Sequence, residues 1–72
     1  DLIKQAIQGK QKLTLTYLKS NDEKSQRVIL PKRMGEMEYM DKKYLGVEGY
    51  CYLRKDDRVF RVDRMLEVSL AS

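Results

Sequence analysis

Tyr44-Leu45-Gly46-Val47-Glu48-Gly49-Tyr50-Cys51-Tyr52-Leu53-Arg54 is the stretch whose reading decides the fold. Side chains of an extended chain point alternately to opposite faces. Leu45, Val47, Gly49, Cys51 and Leu53 share one face, and Tyr44, Gly46, Glu48, Tyr50, Tyr52 and Arg54 share the other. One face is apolar and the other aromatic and charged, the pattern of a strand that covers a core on one side. An eleven-residue strand in a chain of 72 residues has to bend, and Gly46 and Gly49 are where it can.

Downstream, Lys55-Asp56-Asp57 turns the chain into Arg58-Val59-Phe60-Arg61-Val62, Asp63-Arg64 interrupts, and Leu66, Val68 and Leu70 alternate in a last strand. Upstream, Met37 and Tyr39 pair with Leu45 and Val47 in a hairpin around Asp41-Lys42-Lys43. Before that, Arg27-Val28-Ile29-Leu30 reads as a strand stopped by Pro31, which has no N–H for a ladder. Ser20-Asn21-Asp22-Glu23-Lys24 is a polar turn, preceded by the alternating strand Leu13, Leu15, Tyr17. At the start, Leu2, Ile3, Ala6 and Ile7 lie on one helical stripe, and Gly9 stands where a helix end favours positive φ. The expected architecture is mainly β: one short N-terminal helix and about five short antiparallel strands, closed into a small barrel because an open sheet would expose its apolar face and edges.

Composition narrows the function. Seventy-two residues make a single domain with one modest core. Beginning at Asp1 rather than Met, residues 1–72 read as one domain excised from a larger protein. With no His, Ser-His and Cys-His nucleophiles and His-containing zinc sites are excluded. One Cys permits no internal disulfide, which suits a reducing, cytoplasmic setting. Apolar runs are too short to cross a membrane. The glycines have neither Walker nor dinucleotide spacing, so no cofactor is expected. Asp56, Asp57 and Asp63 read as solvated turn carboxylates rather than metal ligands, Cys51 as core, Glu48 as an ion-pair partner and the four methionines as gap-fillers. Nothing assembles an enzyme.

Lysines and arginines number 15 against 11 acidic residues, a net charge of +4. A one-residue slip moves every side chain of a strand to the wrong face, so pattern constrains the turn after Arg54. A two-residue turn at Asp56-Asp57 sets Leu53 opposite Phe60, Cys51 opposite Val62 and, outside, Tyr52 opposite Arg61. A three-residue turn would drive Arg61 into the core at a cost of several kcal/mol. A four-residue loop keeps the same parity. The outer face then gathers Tyr50, Tyr52, Arg54 and Arg61, with Arg64 just beyond. Rings beside guanidinium groups suit single-stranded nucleic acid, whose bases stack while its phosphates meet cations. The same pairs also serve as ordinary cross-strand contacts.

Lys43-Tyr44-Leu45, Tyr50-Cys51-Tyr52-Leu53-Arg54 and Phe60-Arg61-Val62-Asp63-Arg64 together resemble the WYL domain family, named for a Trp-Tyr-Leu triplet. The leading helix, Leu15-Thr16-Tyr17 and the Arg27…Pro31 spacing are similar too, so the resemblance covers nearly the whole chain. It implies an SH3-like or Sm-like barrel and a non-catalytic, regulatory, ligand-binding module of bacteria. Arg54, Arg61 and Arg64 would line its ligand channel. Lys43 replaces the family Trp, exchanging a stacking surface for a charge. The resulting expectation is a domain that binds single-stranded DNA, or RNA, within a larger DNA-handling protein such as a helicase or transcription regulator. Arg54, Arg61, Arg64, Tyr50, Tyr52 and Lys43 would form the site, and the rest of the parent protein would be its other partner. A sensor for a small anionic effector such as a nucleotide, and a protein–protein interaction module, are the alternatives.

Overall fold

A computed structural model describes residues 2–71. Helix α1 (Leu2–Gly9) is followed by strands β1 (Leu13–Leu18), β2 (Lys24–Tyr39), β3 (Lys42–Cys51) and β4 (Asp56–Arg61). A 3-10 turn (Val62–Arg64) then leads into β5 (Met65–Leu70). All pairings are antiparallel, and the sheet order is β4-β3-β2-β1-β5. No ladder joins β4 to β5 among the described residues, so the expected barrel is, in hydrogen bonds, one open sheet.

The sheet is nonetheless rolled. Four inter-strand steps of about 4.8 Å would hold β4 and β5 about 19 Å apart in a flat sheet. The four residue steps from Arg61 to Met65 reach at most about 14 Å. The two edges must therefore approach at this end. Tyr17 of β1 marks the approach: its ring meets Phe60 of β4 edge-on at 5.3 Å, and its hydroxyl accepts a hydrogen bond from the Arg61 N–H at 3.2 Å. Side chains perform there what a closing ladder would do.

The concave face holds the core of Leu13, Leu15, Ile29, Val47, Cys51 and Phe60, over which α1 lays Ile3 and Ala6. An eight-residue helix is marginal alone, and this docking stabilises it. The left-handed residue at its end is Lys10 (φ 52°) and not Gly9.

Three expectations are corrected. Pro31 does not stop a strand: β2 runs unbroken through it for sixteen residues. Pro31 pairs with Gly49 and Arg33 with Glu48, leaving Lys32 as the extra residue of a β-bulge, a place where Pro is tolerated. Gly49 is required opposite it, because a Cβ there would lie 2.7 Å from the Leu30 carbonyl oxygen and 2.9 Å from Pro31 Cα. The β2–β3 hairpin turns at Met40-Asp41, both at positive φ (51° and 63°), slightly ahead of the expected position. Such a two-residue turn matches the twist of its strands.

The third correction concerns register. The chain turns at residues 52–55, closed by the Lys55 N–H donating to the Cys51 carbonyl at 2.7 Å, while Asp56 and Asp57 already belong to β4. Phe60 therefore opposes Val47 and Arg61 opposes Gly46, in place of Leu53 and Tyr52. Parity is preserved, so Phe60 and Cys51 still point inward. Leu53, expected in the core, is 63% exposed in the turn, and Leu45 is exposed where the hairpin outruns the core.

Candidate nucleic-acid interface

The convex face of β3 carries Tyr44, Gly46, Glu48 and Tyr50. An aromatic ring and a cation meet at each end of it. At the C-terminal end, Tyr50 and Tyr52 contact edge-on at 5.1 Å, and Lys12 Nζ lies 4.7 Å from the centre of the Tyr52 ring. Tyr52 is held there by its N–H donating to the Val28 carbonyl at 3.0 Å, which extends the β3 pairing into the turn. Arg54 stands exposed in the same turn.

At the N-terminal end, the Arg61 guanidinium lies 5.1 Å from the centre of the Tyr44 ring. Gly46, opposite Arg61, leaves space for the Tyr44 ring, whose Cε2 would lie 3.0 Å from a Cβ there. Arg61 is also committed to Asp63: its Nε and Nη2 donate to the two carboxylate oxygens at 3.2 and 3.0 Å. Arg64, in the 3-10 turn, has Nη1 at 3.8 Å from Asp22 in the β1–β2 loop. Lys43 lies on the projecting hairpin with Nζ 3.8 Å from Glu36.

The six expected residues are thus divided. Tyr50 and Tyr52 come together, with Arg54 exposed in the adjoining turn. Arg61 and Arg64 lie at the other end, and the expected Tyr52–Arg61 pair is not made. Tyr44 and Tyr50, six positions apart, are separated by about 20 Å of strand. Between them, Glu48 accepts from Arg33 Nε at 2.6 Å, and beside Tyr50 its cross-strand partner Asp57 accepts from Lys32 Nζ at 2.9 Å, so both carboxylates are paired. The Asp57 carboxylate raises the Lys32 pKa above its ordinary value, mainly through that hydrogen bond.

Sequence reasoning missed three contributors. Alternation puts Tyr44 on the outer aromatic face but not in the expected site, yet its ring supports Arg61. Lys12 precedes β1, and only the β1–β2–β3 pairing brings it over Tyr52. Arg27 was placed in a strand without a role; it sits in the inward register of β2 with Ile29 and Pro31, opposite Leu15, and is only 9% exposed. Its alternation with apolar residues was the available signal. Among the described residues no buried side-chain nitrogen or oxygen lacks a partner, so the Arg27 stem is buried while its head reaches water. Among the same residues, no cluster of His, Cys, Asp and Glu suits a metal ion, and no helix is long and apolar enough to cross a membrane.

A helix-covered, rolled antiparallel sheet with a basic and aromatic convex face defines a small binding domain. The chain belongs to the WYL domain family, which matches residues 1–70. It is similar to a solved structure, proteasome accessory factor B/C (PafBC) of Arthrobacter aurescens, at 28% identity and a TM-score of 0.80. The match covers 97% of this chain and 10% of that one. No curated protein matches it. The WYL domain is a ligand-binding regulatory module, and this chain is one.

Proposed function

We propose that this domain binds single-stranded DNA as a non-catalytic regulatory part of a larger, cytoplasmic DNA-handling protein of the helicase or transcription-regulator kind. The observation that carries the reading is the ring-plus-cation arrangement repeated at the two ends of one convex strand face, Lys12 on Tyr52 and Arg61 on Tyr44. Each end offers a π-face to a base and a cation to the adjoining phosphate. Base stacking of this kind contributes about 1–3 kcal/mol per base, and a span of about 20 Å suits the few nucleotides that small binding folds engage. Rings exposed on a strand face favour single strands, whose unstacked bases can reach them.

Fluorescence anisotropy with a labelled oligo(dT) tests this. Binding at low salt should exceed that of the matching duplex and weaken as salt rises, with a slope of roughly −0.7 per phosphate contacted. No binding at low ionic strength, or binding indifferent to salt, removes the reading. Oligo(U) in parallel decides between DNA and RNA.

A further inference from the structure

A second cationic surface starts at Lys32 and Arg33, beside the convex face, and continues to where α1 crosses β2. Two adjoining cavities open there, of about 290 and 300 Å³. The first is lined by Lys4, Ile7, Gln8, Lys32, Arg33 and Met34, and the second by Ile7, Lys10, Leu30, Pro31 and Lys32. Four of these residues are cations and none is a carboxylate.

Lys32 lines both cavities, and it is the extra residue of the β-bulge. A bulge bends its strand and re-aims one side chain. Here Pro31 on one side and the close-packed Gly49 on the other fix it. The bulge that aims Lys32 toward the groove is therefore fixed by backbone packing. Lys32 and Arg33 hold Asp57 and Glu48 at its outer rim, but the four side chains of these pairs are between 35% and 67% exposed. Exposed pairs of this kind contribute little, so a multiply charged anion can share or replace them. Among the described residues Lys4 and Lys10 form no ion pair.

We propose that this groove is a binding site for a small organic phosphate. Lys4 and Lys10, joined by Lys32 and Arg33 once these leave their exposed carboxylates, favour a ligand with concentrated negative charge. The floor of Ile7, Leu30, Pro31 and Met34 offers cover for an apolar or planar body attached to it. The volumes fall at the lower edge of small-ligand pockets. No aromatic ring lines either cavity, which separates the groove from the stacking face on β3 and argues against a nucleic-acid strand as its occupant. The site shares Lys32 and Arg33 with the edge of the single-strand face, and Lys4 and Lys10 belong to it alone.

The test is an NMR titration of the 15N-labelled domain with ADP at low salt, alongside inorganic pyrophosphate. ADP should shift the amides of Lys4, Ile7, Lys10, Lys32 and Arg33, leave those of Tyr44 and Arg61 in place, and bind more tightly than pyrophosphate. The double variant Lys4→Glu/Lys10→Glu, both exposed, should bind ADP about tenfold more weakly, the loss of two surface charge contacts, while Arg61→Ala should bind it normally. Shifts confined to the Tyr44–Arg61 end, no shifts at all, or equal affinity for pyrophosphate would each overturn the assignment.

Discussion

The two ends of the convex β3 face use the same pair of chemical groups in different states. At the C-terminal end, Lys12 stands over Tyr52 with no ion pair among the described residues. At the N-terminal end, Arg61 stands over Tyr44 but gives two hydrogen bonds to Asp63. A phosphate arriving at Lys12 displaces only water, whereas at Arg61 it competes with a carboxylate. The ends also rest on different supports. Beneath Arg61 lie Phe60, Tyr17 and Val47, the side-chain contact that rolls the sheet. Beside Tyr50 lies the backbone packing of Gly49 against the Pro31 bulge. Equal ring–cation geometry therefore does not imply equal readiness to bind.

The largest expected effect is on the support of the Arg61 end. Phe60→Ala should destabilise the domain by about 3–5 kcal/mol, because it empties a large buried side chain. Each kcal/mol moves the Tm by about 4–8 °C in a domain this size, so circular dichroism should record a fall of more than about 12 °C. A Tm within about 2 °C of the wild type would refute Phe60 as the closure of the roll. The other end should respond less. Gly49→Ala should cost about 1–3 kcal/mol through overpacking against the Leu30 carbonyl. Gly35→Ala on the same hairpin, where an added Cβ meets nothing within 4 Å, should stay within about 0.5 kcal/mol. Equal losses from the two would mean that the bulge does not set the packing.

Smaller effects probe the carboxylate that separates the ends. Asp63→Asn releases Arg61 and should tighten oligo(dT) binding about two- to threefold, the scale of one exposed ion pair. Its salt slope should steepen by nearly one contact. Unchanged affinity and slope would mean that Arg61 takes no part. The smallest effect belongs to Lys32. Its folded-state pKa is raised by Asp57, so the pair's contribution is whole below the ordinary lysine pKa and is lost as pH rises through the folded value. The Tm difference between wild type and Lys32→Met should shrink across that alkaline window and stay constant from there down to neutral pH.

Much of this was legible in the chain. The alternation from Tyr44 to Cys51 assigned inner and outer faces correctly, because burial on one side imposes a period of two. Parity excluded Arg61 from the core for the same reason. What alternation cannot do is locate a turn, since every even displacement leaves the faces intact. The chain turns at residues 52–55, three positions early in each strand's pairing, and Tyr52 and Arg61 parted without any change of face. The bulge at Lys32 was hidden because Pro31 signals a strand end equally well. Lys12 over Tyr52 and Arg64 near Asp22 join residues forty and forty-two positions apart, contacts that only the assembled sheet specifies. The open edges were hidden as well, because apolar patterning asks for a covered face and is silent on whether hydrogen bonds or side chains cover it.

The central claim is that this face holds a single strand by stacking and by phosphate contact together, and that the C-terminal end does both. Oligo(dT) affinity measured across a range of salt for wild type, Tyr52→Ala and Lys12→Ala tests it most directly. Both variants should bind several-fold more weakly while losing no more than about 8 °C in Tm, since an exposed ring–cation pair contributes under about 1 kcal/mol. Lys12→Ala should lower the salt slope by about 0.7, one phosphate contact, and Tyr52→Ala should leave it unchanged, because stacking releases no counterions. Wild-type affinity and slope in both variants would make the cluster a scaffold feature and contradict the claim.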